Sequence, residues 1–222
     1  MNLDTSLENY RYVRDYRKEF SLSTEDFESL LYKAWEVTPS KNNFMPYNVY
    51  VIGPDRQDLK DLVYKKCVGN EGVVDDVPNV EEVRYSEIKP RYWNIVSCSY
   101  LIIFTLRIET EPNSFQQDAI NRGVTFEAMN QKNTTAAAHN AKIEVGMFST
   151  ALSALCLQNG LDISHILNFP SNVEKWSEES FKFIERQPLM IMTVGKGLSY
   201  RRDIVPETLD LKPDYKRIVK VL

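Results

Sequence analysis

Pro39-Ser40-Lys41-Asn42-Asn43-Phe44-Met45-Pro46-Tyr47 is the stretch from which the fold of this chain can be read. It gathers hydrogen-bonding side chains and aromatic residues on a short loop, and loops held by rigid elements often bind ligands. Ser and Asn are equally at home in plain turns, so the loop alone leaves both readings open. Its flanks say more. Upstream, Phe27, Leu30, Leu31, Ala34 and Trp35 recur at helical spacing, which predicts an amphipathic helix over Thr24–Val37 with those residues inward. Ser23 is its expected N-cap, with Asp26 as capping partner, and Pro39 stops it. Downstream, Tyr47–Ile52 reads as a strand closed by Gly53-Pro54.

Working outward, Leu7–Phe20 reads as a charged helix and Asp55–Val68 as a second amphipathic helix with Leu59, Leu62 and Val63 inward. Gly69–Ser86 is acidic and reads as a loop, and Tyr92–Ser97 as a short helix. Tyr100–Leu106 is β-branched and aromatic, as expected of a buried strand. Glu111–Lys132 carries only a weak helical pattern. Thr134–Asn159 is expected to be the longest helix, with a stripe of Ile143, Met147, Thr150, Ala151, Ala154 and Leu155 and a glycine cap at Gly160. Its many small residues allow close approach of a neighbour. Leu161–Phe169 reads as a connector with one short strand, Ser177–Arg186 as a helix and Leu189–Val194 as a strand. Helices and strands do not alternate strictly, which favours an α+β architecture with a small sheet covered by helices.

Composition narrows the chemistry. The 222 residues fit a single domain, 1–222, whose final part, 205–222, is too apolar for a solvated tail and is expected to pack on a partner subunit. A net charge of −4 provides no global basic field for nucleic acid. No apolar run is long enough to span a membrane. Three widely spaced cysteines, Cys67, Cys98 and Cys156, argue for a reducing, cytoplasmic setting rather than a disulfide framework. With two histidines, His139 and His165, and no CxxC pair, a Cys/His metal centre is not expected. No GxGxxG, P-loop, HExxH or GxSxG pattern occurs.

Besides the central loop, two clusters suit an anion. Arg14-Asp15-Tyr16-Arg17-Lys18 would place Arg14 and Lys18 on one helical face. Gly195-Lys196-Gly197-Leu198-Ser199-Tyr200-Arg201-Arg202 follows the last apolar strand with a basic pair. Each cluster alone is equally well a solvated surface.

Their order is what resembles a known family. Arg14, Lys18 and Phe20 match the first motif of the FMN-dependent nitroreductases, with Tyr16 in place of the usual Ser. Pro39, Ser40, Asn43, Pro46 and Tyr47 match the second, with Met45 in place of Gln. Asn159-Gly160-Leu161, Val194-Gly195 and Arg201-Arg202 match the end of the central helix, the last strand and the basic residues after it. The resemblance runs from about Tyr12 to Arg202.

The resemblance implies a three-layer nitroreductase-like fold, a small mostly antiparallel sheet flanked by helices, in a homodimer with FMN at the subunit interface. It implies that Arg14, Asp15, Tyr16, Lys18, Arg201 and Arg202 surround the FMN phosphate and ribityl chain. Pro39, Ser40, Lys41 and Asn43 would reach the flavin from the second subunit, and Leu167 and Asn168 would offer amides near N5. Arg91 or Asn94 would stand near N1 by register, and His165 would lie just before Leu167 and Asn168. No protein group is expected to be catalytic, because the chemistry is the flavin's. The implied activity is hydride transfer from NAD(P)H to nitroaromatic, quinone or related electrophilic acceptors. Flavin fragmentation, reductive dehalogenation and flavin binding without turnover are the alternatives on the same fold.

Overall fold

The computed structural model describes residues 11–40, 43–69, 92–107, 112, 114–167, 176 and 187–200. In chain order the elements are β1 (Val13–Tyr16), α1 (Thr24–Val37), β2 (Tyr47–Ile52), α2 (Gln57–Gly69), α3 (Trp93–Ser97) and β3 (Tyr100–Leu106), followed by α4 (Ser114–Asn121), α5 (Phe126–Gln158), β4 (Asp162–Ile166), β5 (Pro188–Gly195) and β6 (Gly197–Tyr200). The main sheet has the order β2-β3-β5-β4 with every pair antiparallel. β1 and β6 form a separate antiparallel pair.

β3 is the spine, buried from Tyr100 to Thr105. On one face of the sheet, Phe104, Ile102 and Met192 pack against Phe27, Leu30 and Ala34 of α1 and Phe148, Leu152 and Cys156 of α5. On the other, Leu101, Ile103 and Ile191 meet Val63 and Tyr64 of α2 and Trp93 and Ile95 of α3. Helices thus cover both faces of a small antiparallel sheet, the α+β arrangement expected.

α1 keeps its expected bounds because its ends are fixed locally. Ser23 Oγ accepts the Asp26 amide at 3.1 Å, and Thr38 Oγ1 donates to the Ala34 carbonyl at 2.6 Å. Trp35 corrects the expected stripe: it is 51% exposed and tilted against exposed Tyr32 at 5.5 Å. At the far end of α5, Gly160 takes φ +71°, and the Leu161 and Gly160 amides return to the Cys156 and Leu157 carbonyls, each at 3.0 Å.

Further expectations are corrected. The segment read as a helix over Leu7–Phe20 contains a strand, β1, in its described part. The charges at Arg14, Arg17 and Lys18 mimic helical spacing, but Val13, Asp15 and Tyr16 are buried and β6 supplies the ladder partner. The long helix begins at Phe126, capped by Thr125, eight residues before the expected Thr134. Its buried face is Ala141, Val145, Phe148, Leu152 and Cys156, while Ile143 and Met147 of the predicted stripe are 48% and 44% exposed. Gly197–Tyr200, within the cluster that follows the last apolar strand, is itself a strand, β6. The expected helix Ser177–Arg186, the tail 205–222 and all but the first residue of Gly69–Ser86 lie outside the described residues.

Candidate functional site

β1 is the element that assembles the site, because it touches two strands far away in sequence. Val13 pairs with Tyr200 and Tyr16 with Gly197. The Val13 amide donates to Ser164 Oγ of β4 at 2.7 Å, and Asn94 Nδ2 donates to the Val13 carbonyl at 3.1 Å. The Tyr16 amide donates to Ser97 Oγ at 3.1 Å. Three stretches that are separate in sequence therefore meet: Arg14–Lys18, the strand that runs into Leu167, and the strand that runs into Arg201. Asn168, Arg201, Arg202 and Lys41 lie outside the described residues, as does Arg91.

Within this corner Arg14 is partly buried, with its guanidinium 5.5 Å from the centre of the Tyr12 ring. Lys18 is exposed on the turn after β1, and Leu167 is 72% exposed just after β4. Arg14 lies on the strand and Lys18 on the turn that follows it, at the Lys196 end of β6, so the two do not share a helical face. Asp15 is buried to 7% exposure, and its Oδ1 has no hydrogen-bond partner. Tyr16 points inward. Its hydroxyl donates to the Thr193 carbonyl at 3.0 Å and lies 2.9 Å from Thr193 Oγ1, and burial pushes its pKa well above the usual value. Asn94 is also buried, and its Nδ2 donates to the Val13 carbonyl.

The Pro39–Tyr47 loop is built separately. Asn43 and Met45 adopt left-handed backbone, φ +52° and +45°, conformations that non-glycine residues take only when their surroundings enforce them. The Met45 amide donates to Ser40 Oγ at 2.8 Å, and the Asn43 amide to the Ser40 carbonyl at 3.2 Å. Arg107 completes the clamp. Its Nε donates to the Met45 carbonyl at 2.8 Å, a terminal nitrogen to the Phe44 carbonyl, and its own amide to the Pro46 carbonyl at 3.0 Å. Its guanidinium also lies 5.8 Å from the centre of the Phe44 ring. Arg107 was not singled out in the sequence. The available signal was its place directly after β3, opposite the strand that the loop feeds.

Tyr47 anchors the loop's end between Phe104 and Phe148, and burial pushes its pKa up to about 12. Pro39 and Ser40 face α5 across a cleft of about 340 Å³ lined also by Asn140, Ile143, Glu144 and Met147. His165 sits on β4 with Nε2 3.4 Å from Ser153 Oγ, and burial lowers its pKa. Among the described residues no group of three or more His, Cys, Asp or Glu side chains is placed to hold a metal ion.

No protein-family profile and no curated protein sequence matches this chain. Solved structures do. A candidate NAD(P)H:FMN oxidoreductase of Staphylococcus epidermidis superposes with a TM-score of 0.66 at 14% identity, covering 100% of this chain and 96% of its own. A nitroreductase-like protein of Streptococcus mutans gives 0.65 at 14% identity, covering 98% and 96%. A candidate nitroreductase of Exiguobacterium sibiricum, in complex with FMN, gives 0.59 at 15% identity, covering 96% and 98%. The chain therefore has the nitroreductase-like fold.

Proposed function

We propose that this chain is an FMN-dependent oxidoreductase that carries hydride from NAD(P)H to nitroaromatic, quinone or related small electrophilic acceptors. The observation that carries the reading is the corner assembled by β1, in which partly buried Arg14 and the strand leading into Arg201-Arg202 lie toward the exposed end of β4, with exposed Lys18 on the turn at the other end of β1, beside Lys196 and Gly197. That donor set suits FMN, whose phosphate bears close to two negative charges, about −1.5 to −2 at neutral pH. Arg14 offers two nitrogens in a fork and Lys18 a point charge, and the basic pair 201–202 adds to them. Leu167 and Asn168 are the backbone amides proposed for the ring. The bound flavin supplies the redox chemistry, and the chain binds, orients and shields it.

A second copy completes the site in this reading. The Pro39–Tyr47 loop is clamped at a distinct place, against α5 and Arg107, next to half-exposed Ile143 and Met147. Such a patch suits an interface between copies, and the loop beside it would reach the partner's flavin. The 205–222 extension is proposed to pack on the partner as well. The three free, buried cysteines suit a reducing cytoplasm. No described helix is long and apolar enough to cross a membrane.

The test is the visible spectrum and FMN content of purified protein, followed by NADH and NADPH oxidation with menadione or a nitroaromatic. About one FMN per chain, reducible and turned over, supports the reading. Arg14→Ala should lose FMN about tenfold more readily, the scale of one charge-assisted contact. A chain that takes up no FMN even after reconstitution would overturn the reading. Because Tyr16 turns its hydroxyl away from the corner, a flavin-binding protein without turnover is the second reading, and bound FMN that NAD(P)H cannot reduce would favour it.

A further inference from the structure

We propose that the cleft floored by Lys60 binds a phosphate-class oxyanion, at a site additional to the flavin corner. Lys60 lies on α2 and is 1% exposed. Its Nζ donates to the Cys98 carbonyl at 2.8 Å and to the Ser99 carbonyl at 2.9 Å. An ammonium carries three donors, so one is left over. Among the described residues no carboxylate forms an ion pair with it. A buried cation held only by neutral carbonyls is costly and calls for a counter-charge. Its environment already disfavours the charged form, lowering its pKa by desolvation.

The cleft supplies room and further cations. It encloses about 210 Å³, and Arg17, Lys18, Gln57, Ser97 and Ser99 line it together with Lys60. A liquid water fills about 30 Å³, so an oxyanion fits with part of its hydration. Arg17 Nε is held by the Gly197 carbonyl at 3.3 Å, which orients the guanidinium and leaves its terminal nitrogens for a ligand. The charges facing Lys60 are Asp55 and Asp61, and the Cys98 thiol is neutral, pushed up to about 11 by burial. Asp61 is already engaged, accepting from Gln57 Nε2 at 2.7 Å. The lining of the cleft itself holds three cations, Arg17, Lys18 and Lys60, and no carboxylate. An arginine fork beside two ammonium groups matches a tetrahedral oxyanion with several acceptor oxygens. Lys18 lines this cleft and is also among the residues proposed for FMN, so the experiment must separate the two.

The probe is inorganic phosphate, titrated calorimetrically into purified protein at fixed ionic strength, before and after saturation with FMN. The expected result is one phosphate per chain, bound equally in both states, and about tenfold weaker in Arg17→Ala and in Lys60→Gln. Unchanged affinity in folded variants overturns the proposal, as does the absence of binding to the wild type. Phosphate displaced by FMN also overturns it, since the ion then occupies the flavin's own site. Arg17 is exposed, so Arg17→Ala decides the matter if Lys60→Gln fails to fold. Phosphate binding by a chain that takes up no FMN would leave this site standing while the flavin reading falls.

Discussion

The Tyr16 hydroxyl donates to the Thr193 carbonyl at 3.0 Å, pinning β1 to the middle of β5 across 177 positions of sequence. The residue that stands where the resembling motif has a serine therefore serves the core. Tyr16→Phe should cost about 1 kcal/mol of stability, the usual net worth of one buried hydrogen bond, and leave FMN retention unchanged. Urea denaturation and flavin fluorescence read the two quantities. Lost FMN at unchanged stability would mean that the hydroxyl serves the ligand after all.

Arg107 donates to the Met45 and Phe44 carbonyls and so holds a loop with two left-handed residues. Arg107→Ala should release that strain and disorder the loop. FMN affinity should fall about tenfold, consistent with the loss of one or two charge-assisted hydrogen bonds. Arg107→Lys should recover only part, because a lysine cannot reproduce the fork. Full affinity in the alanine variant would remove the loop from the site.

Ile143 and Met147 are half exposed on the outer flank of α5, beside Pro39 and Ser40. Ile143→Arg should split the proposed dimer, since a buried unpaired cation at an interface is strongly unfavourable. Light scattering should then report a monomer that has also lost FMN, because in the proposed dimer each site is completed by the partner's loop. A wild-type chain that is already monomeric, or a variant that stays dimeric, would count against this interface.

His165 should make the protein acid-sensitive. Burial holds its pKa below the ordinary 6.5, so the unfolded chain binds more protons just below that value. Stability is then fully present above about pH 6.5 and is lost as pH falls toward the folded pKa. His165→Gln should flatten that part of the stability–pH curve, measured by denaturant midpoints. An unchanged slope in the variant would place the acid sensitivity elsewhere.

α1, β2 and β3 are legible from local sequence to the residue. Their signals are local: a cap at Ser23, a 3.6-residue stripe, β-branched and aromatic runs, and Gly-Pro punctuation after Ile52. The motif order also carried the nitroreductase-like fold that the superpositions show. Tertiary structure decided what depends on partners distant in the chain. β1 is a strand only because β6 and Ser164 offer hydrogen bonds to a segment whose charges fall at helical intervals. Trp35 is exposed although it shares the spacing of buried Ala34, because the apolar stripe is narrower than the pattern suggests. Lys60 is buried although lysine normally seeks water, because the Cys98 and Ser99 carbonyls, 38 and 39 positions away, receive its amine. Side-chain periodicity encodes which face of an element is apolar, but only the packed neighbours determine which polar groups find partners inside.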